Sequence, residues 1–120
     1  MKLSVYFIII LLFFSSYVLF SQKIEIFNGD TINFIDPNGL KQGMWVVFNK
    51  DESVSEEAFY LNDQLHGTRR KYFAKGVLKL EEELQNGSLQ GTFKNYYPNG
   101  SLKEEGVYKN GIINGLHKTF

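Results

Sequence analysis

Glycines that recur at a fixed interval are the feature that most limits what this chain can fold into. Four of them are spaced by 24 residues, and an aromatic residue follows five positions after each. Such a period predicts a repeat protein, in which one small unit stacks on the next. The glycines are Gly43, Gly67, Gly91 and Gly115, and the aromatics are Phe48, Tyr72, Tyr96 and Phe120.

Each repeat has the pattern of a β-hairpin. In 91–114, two alternating stretches at 92–97 and 102–108 flank the turn Pro98-Asn99-Gly100-Ser101. The same pattern predicts strands at 44–48 and 54–60 in 43–66, and at 68–73 and 77–84 in 67–90; 115–120 begins a partial fourth repeat. Residues 22–35 predict a further hairpin, because apolar and polar residues alternate on both sides of Asn28-Gly29.

The fold class predicted is therefore all-β: an elongated, twisted antiparallel sheet of tandem hairpins. Repeat units occupy 36–120, because residues 36–43 already contain the Asn-Gly pair and the later glycine that connect one repeat to the next. Glycine reaches left-handed backbone geometry without strain, so we expect a set of glycines to form turns. These structural turn residues are Gly43, Gly67, Gly87, Gly91, Gly100, Gly111 and Gly115.

Side-chain alternation predicts how the columns of the repeat divide between the two faces of the sheet. The apolar columns, Val54/Leu78/Leu102 and Tyr60/Leu84/Tyr108, should share one face with the aromatics that follow the glycines. The columns Glu57/Glu81/Glu105 and Ser55/Lys79/Lys103 have the opposite parity and should face water, with the lysines neutralising the acids. Trp45 and Phe93 also have the opposite parity, which predicts an exposed aromatic patch.

The first 21 residues have the composition of a secretory signal peptide. One basic residue, Lys2, precedes an apolar run that ends at Ser21-Gln22. Export to the periplasm, the cell surface or the medium follows if the segment is cleaved after Ser21. The alternative is a retained membrane anchor, because the run approaches the roughly 18–20 residues that cross hydrocarbon.

Composition excludes several classes of site. Of 13 basic residues, 12 remain after residue 21 against 13 acids, and this near-neutral balance argues against a nucleic-acid partner. The chain has no cysteine and two histidines, His66 and His117, at different phases of the repeat. Since no nucleophile, base and oxyanion donor converge in the sequence, we expect neither an enzyme nor a metal or other cofactor.

The units resemble MORN repeats, and more closely the bacterial variant of that family. Residues 105–115 contain a glycine, an aromatic, a basic residue, Asn110-Gly111 and a further glycine, while 96–100 carry an aromatic pair before a Pro-Asn-Gly turn. Repeat one departs most from the family pattern, because Asp51-Glu52 stands at the turn and Asp63 stands in place of a glycine. In repeat two, Glu82 stands where repeat three has Gly106. The resemblance implies a non-catalytic binding module.

Three functions follow as hypotheses. The first is an exported scaffold for an unidentified protein partner, with Trp45, Phe93 and Tyr97 as candidate contacts, because large aromatics dominate interface energetics. The second is phospholipid binding, with Arg69, Arg70 and Lys71 as candidate headgroup contacts. The third, implied by an antitoxin label on some relatives, is neutralisation of a toxin. An unpaired strand edge near Phe120 also predicts edge-to-edge self-association.

Overall fold

A computed structural model describes residues 24–120, and the predicted signal or anchor segment, 1–21, lies outside them. The predicted all-β class is confirmed. Eleven strands and one 3-10 turn, Ala74–Gly76, make up the described chain. The strands are β1 (Glu25–Phe27), β2 (Asp30–Ile32), β3 (Phe34–Ile35), β4 (Lys41–Phe48), β5 (Val54–Leu61), β6 (Gln64–Tyr72), β7 (Leu78–Gln85), β8 (Ser88–Tyr96), β9 (Leu102–Lys109), β10 (Ile112–Ile113) and β11 (Lys118–Thr119).

Strands β3 to β10 form one long antiparallel sheet in which neighbours in sequence are neighbours in space. The short strands β10 and β11 both pair with β9, on either side of the bend at Gly115. Strands β1 and β2 form a separate hairpin around Asn28-Gly29. This hairpin lies against β4, where Phe27 and Phe48 meet edge to face with ring centroids 5.4 Å apart.

Two kinds of turn alternate along the sheet and therefore lie on opposite long edges. The short-turn edge has two-residue turns whose residues both have positive φ, as type I′ hairpins require. These turns are Asn62-Asp63, Asn86-Gly87 and Asn110-Gly111. The long-turn edge has the five-residue connections 49–53, 73–77 and 97–101, each closed by a 2.8 Å hydrogen bond from the first N–H to the last carbonyl.

The placement predicted for the 24-residue glycines is wrong for three of the four. Gly43, Gly67 and Gly91 lie inside β4, β6 and β8 rather than in turns. Gly67 and Gly91 lie where the pairing between strands is irregular. Around Gly67, Ala58 pairs with Arg69, but Tyr60, two residues further along β5, pairs with Leu65. The positive φ of Gly67, 93°, fits this local distortion of the strand. By contrast, Gly87, Gly100, Gly111 and Gly115 do lie in turns or bends.

A β-bulge in every repeat also makes the predicted division of faces wrong. Val47 pairs with Glu56 but Phe48 pairs with Val54, so Ser55 has no partner across the ladder. Lys79 and Lys103 are skipped in the same way. Because the extra residue reverses the alternation, Val54 and Tyr60, six apart, lie on opposite faces.

One face, here called the aromatic face, carries a central row that runs across the repeats. Residues directly opposite each other share a face, and the ladders join them in the order Trp45, Ala58, Arg69, Glu82, Phe93, Gly106. The small residues Ala58 and Gly106 lie opposite the aromatic residues Trp45 and Phe93. A Cβ at Gly106 would lie 2.7 Å from the Phe93 ring, so the row is closely packed at that point.

The other face, here called the charged face, carries a row of alternating sign. The ladders place Glu57, Arg70, Glu81, Lys94, Glu105 and Lys118 side by side. The predicted acidic column is thus interleaved with cations from alternate strands, and not with Lys79 and Lys103. Such opposite-charge neighbours stabilise an antiparallel pair modestly.

Candidate functional site

Two of the three aromatics predicted to contact a partner are packing residues of the aromatic face. Phe93 is only 4% exposed and lies against Tyr108, with ring centroids 4.8 Å apart. Trp45 contacts Tyr60 at 5.9 Å, and the Lys41 ammonium lies 4.5 Å above the indole. The exposed Trp/Phe patch predicted from alternation is therefore wrong, for the same reason that the face assignment is wrong.

The predicted headgroup cluster is divided between the two faces. Arg69 lies on the aromatic face and forms an ion pair with Glu82, while Arg70 lies on the charged face with its Nε 2.7 Å from Glu81. Lys71 Nζ lies 3.9 Å from Glu56. Glu81 is also the main reason that the pKa of Arg70 rises above its ordinary value. The structure does not bring the three cations together, and each has an acidic partner.

The long-turn edge, in contrast, presents cations that lie over aromatic rings. In repeat two the bulge residue Lys79 places its ammonium 5.4 Å from the centroid of Phe73, the first residue of the turn. In repeat three Lys103 occupies the same position, 5.8 Å from Tyr97. Each pair is here called a station. Both lysines are exposed, and within residues 24–120 neither forms a salt bridge.

A cleft of 420 Å³ lies between the two stations. It is lined by Phe73, Lys79, Asn95, Tyr96, Tyr97, Pro98 and Lys103. Tyr97 is 38% exposed, and its hydroxyl donates a hydrogen bond to the Phe120 carbonyl at 3.1 Å. The predicted contact Tyr97 therefore belongs to an open surface that combines aromatic area with unpaired positive charge.

Repeat one has the same backbone turn but no station. Asn49 stands where Phe73 and Tyr97 are, and the bulge residue is Ser55, whose hydroxyl donates to the Val47 carbonyl at 3.2 Å. The stations therefore require the right side chains as well as the bulge. Alternation in the sequence does not reveal them, because it places Lys79 and Lys103 at regular strand positions and gives no sign of the bulge. The available signal was a lysine six residues after a turn aromatic in two successive repeats.

The histidines serve local structure. His66 Nδ1 lies 3.5 Å from the Asn86 N–H, a position where Gln42 and Gln90 accept the corresponding bond at 2.9 and 2.8 Å. His117 contacts Glu104, which Asn95 also binds at 2.8 Å. The Asn95 bond and then His117 hold the pKa of Glu104 below its ordinary value. Residues 24–120 contain no group of three or more His, Asp or Glu side chains placed to hold a metal ion.

No helix within 24–120 has the length and apolar character needed to span a membrane. No curated protein and no solved structure matches the chain with significance. Residues 65–86 and 89–110 each match the family described as MORN repeat variant. MORN repeats generally bind proteins or membranes and are not catalytic. The two matches show that residues 65–86 and 89–110 are MORN repeats of the variant type, and hairpins of the same period continue on either side of them.

Proposed function

We propose that this chain is an exported, non-catalytic scaffold that binds another protein through the long-turn edge. The observation that carries the proposal is the cleft between the stations, where aromatic rings and two unpaired lysines are exposed together. Aromatic side chains provide large contact areas at protein interfaces, and unpaired cations attract and orient an acidic partner.

The two faces of the sheet support this choice by contrast. The aromatic face uses its largest rings for packing, and the charged face places acids and cations side by side across the ladder, with Arg70 in an ion pair with Glu81. The headgroup hypothesis loses its motivation, since Arg69, Arg70 and Lys71 are each paired with an acid. On the long-turn edge, neither Lys79 nor Lys103 forms a salt bridge with another residue of 24–120.

A photoreactive amino acid at position 97 would test the interface in the living cell. We expect a discrete cross-linked protein, identified by mass spectrometry, that disappears when Lys79 and Lys103 are changed to Ala. Leu61, 46% exposed at the short-turn edge, offers the matched control position. Failure to cross-link at 97, or the same product from position 61, would contradict the proposal.

Export is tested separately by sequencing the N-terminus of the native protein. We expect it to begin at Gln22, as cleavage after Ser21 requires. A retained Met1 would instead favour the membrane anchor. Either result leaves the binding surface to be judged by the cross-linking experiment.

A further inference from the structure

We infer that the long-turn cleft binds an extended polyproline II segment with an acidic residue at every third position. This inference rests on the proposed function and names the chemistry of its partner. It starts from the two stations, whose lysines are equivalent members of successive repeats.

The spacing of the stations carries the first step. Lys79 lies at the start of β7 and Lys103 at the start of β9, and β8 lies between these strands. Neighbouring strands are about 4.8 Å apart, so equivalent points on β7 and β9 are separated by about 9.5 Å along the edge. A ligand that meets both lysines in the same way must therefore repeat its own chemistry at about that distance.

A polyproline II helix has this repeat. It has three residues per turn and rises about 3.1 Å per residue, so residues i and i+3 lie on the same side about 9.3 Å apart. A β-strand does not satisfy the same condition, because residues on one side of it are about 6.7 Å apart. Acidic residues at i and i+3 of a polyproline II segment can thus reach Lys79 and Lys103 together.

The lining of the cleft agrees with this ligand in two further respects. Polyproline II segments dock in aromatic-lined grooves, and Phe73, Tyr96, Tyr97 and Pro98 line this one. The lysines also lie over rings, an arrangement that restrains each ammonium before binding and so reduces the entropy lost on contact. Lys75, in the turn that begins at Phe73, adds a third cation nearby.

Synthetic peptides test the spacing directly. The first contains three Pro-Pro-Glu units; the second has the same residues rearranged so that the three glutamates are adjacent. We expect the first to bind residues 22–120 at least fivefold more tightly, and its affinity to fall as salt is added. Lys79→Ala and Lys103→Ala should each weaken it about fivefold, whereas Lys50→Ala, in the turn without a station, should not.

Building a third station in repeat one gives a test by gain of affinity. Asn49→Tyr with Ser55→Lys places in the first turn the side chains of repeat three, on a turn closed by the same hydrogen bond. A peptide of four Pro-Pro-Glu units should bind this variant about fivefold more tightly than it binds the unaltered chain. Circular dichroism and the melting temperature would verify that each variant is folded.

The inference is overturned if the rearranged peptide binds equally well, or if neither lysine matters. It is also overturned if vesicles rich in phosphatidylglycerol bind through Lys79 and Lys103 while neither peptide binds, because the cleft is then a lipid site. If the peptides fail but position 97 still cross-links to a protein, the proposed function stands and the polyproline II partner alone is rejected.

Discussion

Single residues that differ between repeats show where this chain departs from its own pattern. Gly76 and Gly100 have φ of 78° and 86° at the same point of two long turns, whereas Glu52 holds φ 67° in the first. A non-glycine residue in this region is strained by about 1 kcal/mol or more. We expect Glu52→Gly to raise the free energy of unfolding by roughly 0.5–1 kcal/mol, since the freer unfolded chain offsets part of the gain.

Chemical denaturation of residues 22–120 would measure that change. Gly100→Ala is the matched reverse variant, because it introduces a side chain at the equivalent position and should lower stability by a similar amount. An unchanged midpoint for Glu52→Gly, beside a lowered one for Gly100→Ala, would show that the first turn relaxes its strain in another way.

Tyr72 provides a prediction about pH. Burial, followed by the hydrogen bond that its hydroxyl donates to Glu57 at 2.9 Å, raises its pKa to about 12. The raised pKa means that the folded state favours the neutral tyrosine: this contribution to stability is fully present below pH 10, the ordinary value, and is lost as pH rises through about 12.

Ultraviolet difference titration would follow phenolate formation in the unaltered chain and in Tyr72→Phe. We expect the difference between the two to titrate near pH 12, and Tyr72→Phe to lower stability at pH 7 by about 1 kcal/mol. A difference that titrates near pH 10 would show that the hydroxyl is neither buried nor bound to Glu57.

At the scale of strands, the alternation of apolar and polar residues in the sequence predicts the hairpins but does not predict which side chains lie on which face of the sheet. The 24-residue period locates each strand, because glycines and apolar residues recur together at that interval. The all-β fold class follows from the positions of these strands. The faces could not be assigned because Ser55, Lys79 and Lys103 each add one residue to a strand, and an extra residue reverses every later side chain. The stations depend on the same bulges, so the site was missed along with them. Tyr97 is predicted as a contact only because it is a large aromatic; its position at the start of the turn 97–101 comes from the structure.

Strand pairing also explains why Glu82 stands where repeat three has glycine. Phe93 needs Gly106 opposite it for space, while Arg69 has Glu82 opposite it as an ion partner, with the Glu82 side chain 8% exposed. The two substitutions therefore compensate for each other. Glu82→Gly alone should lower the free energy of unfolding by about 2–3 kcal/mol, because it leaves Arg69 without its partner.

The double variant Arg69→Phe with Glu82→Gly reproduces the pair found in repeat three. We expect its stability to return to within about 1 kcal/mol of the unaltered chain, the remainder reflecting glycine in a strand interior. A double-mutant cycle by urea denaturation would measure the coupling. Additive losses would show that the ion pair does not substitute for the aromatic packing.

For the whole molecule, contacts between neighbouring strands carry the fold, since each repeat packs mainly against the one before and the one after. Stability should then be nearly a sum of repeat and interface contributions. Duplicating residues 67–90 directly after Gln90 inserts one full period: Ser88–Gln90 and the copied residues 67–72 form one strand, the copy of β7 forms the next, and every ladder can form. We expect a longer sheet with a higher melting temperature, measured by circular dichroism, and a larger radius of gyration in solution scattering. Duplicating only 67–84 is the matched control: it omits Gln85, the turn Asn86-Gly87 and Ser88–Gln90, so the copied strands have no short turn between them and the next strand, the register should fail and the melting temperature should fall. If both insertions behaved alike, the 24-residue period would not be what sets the register of the sheet.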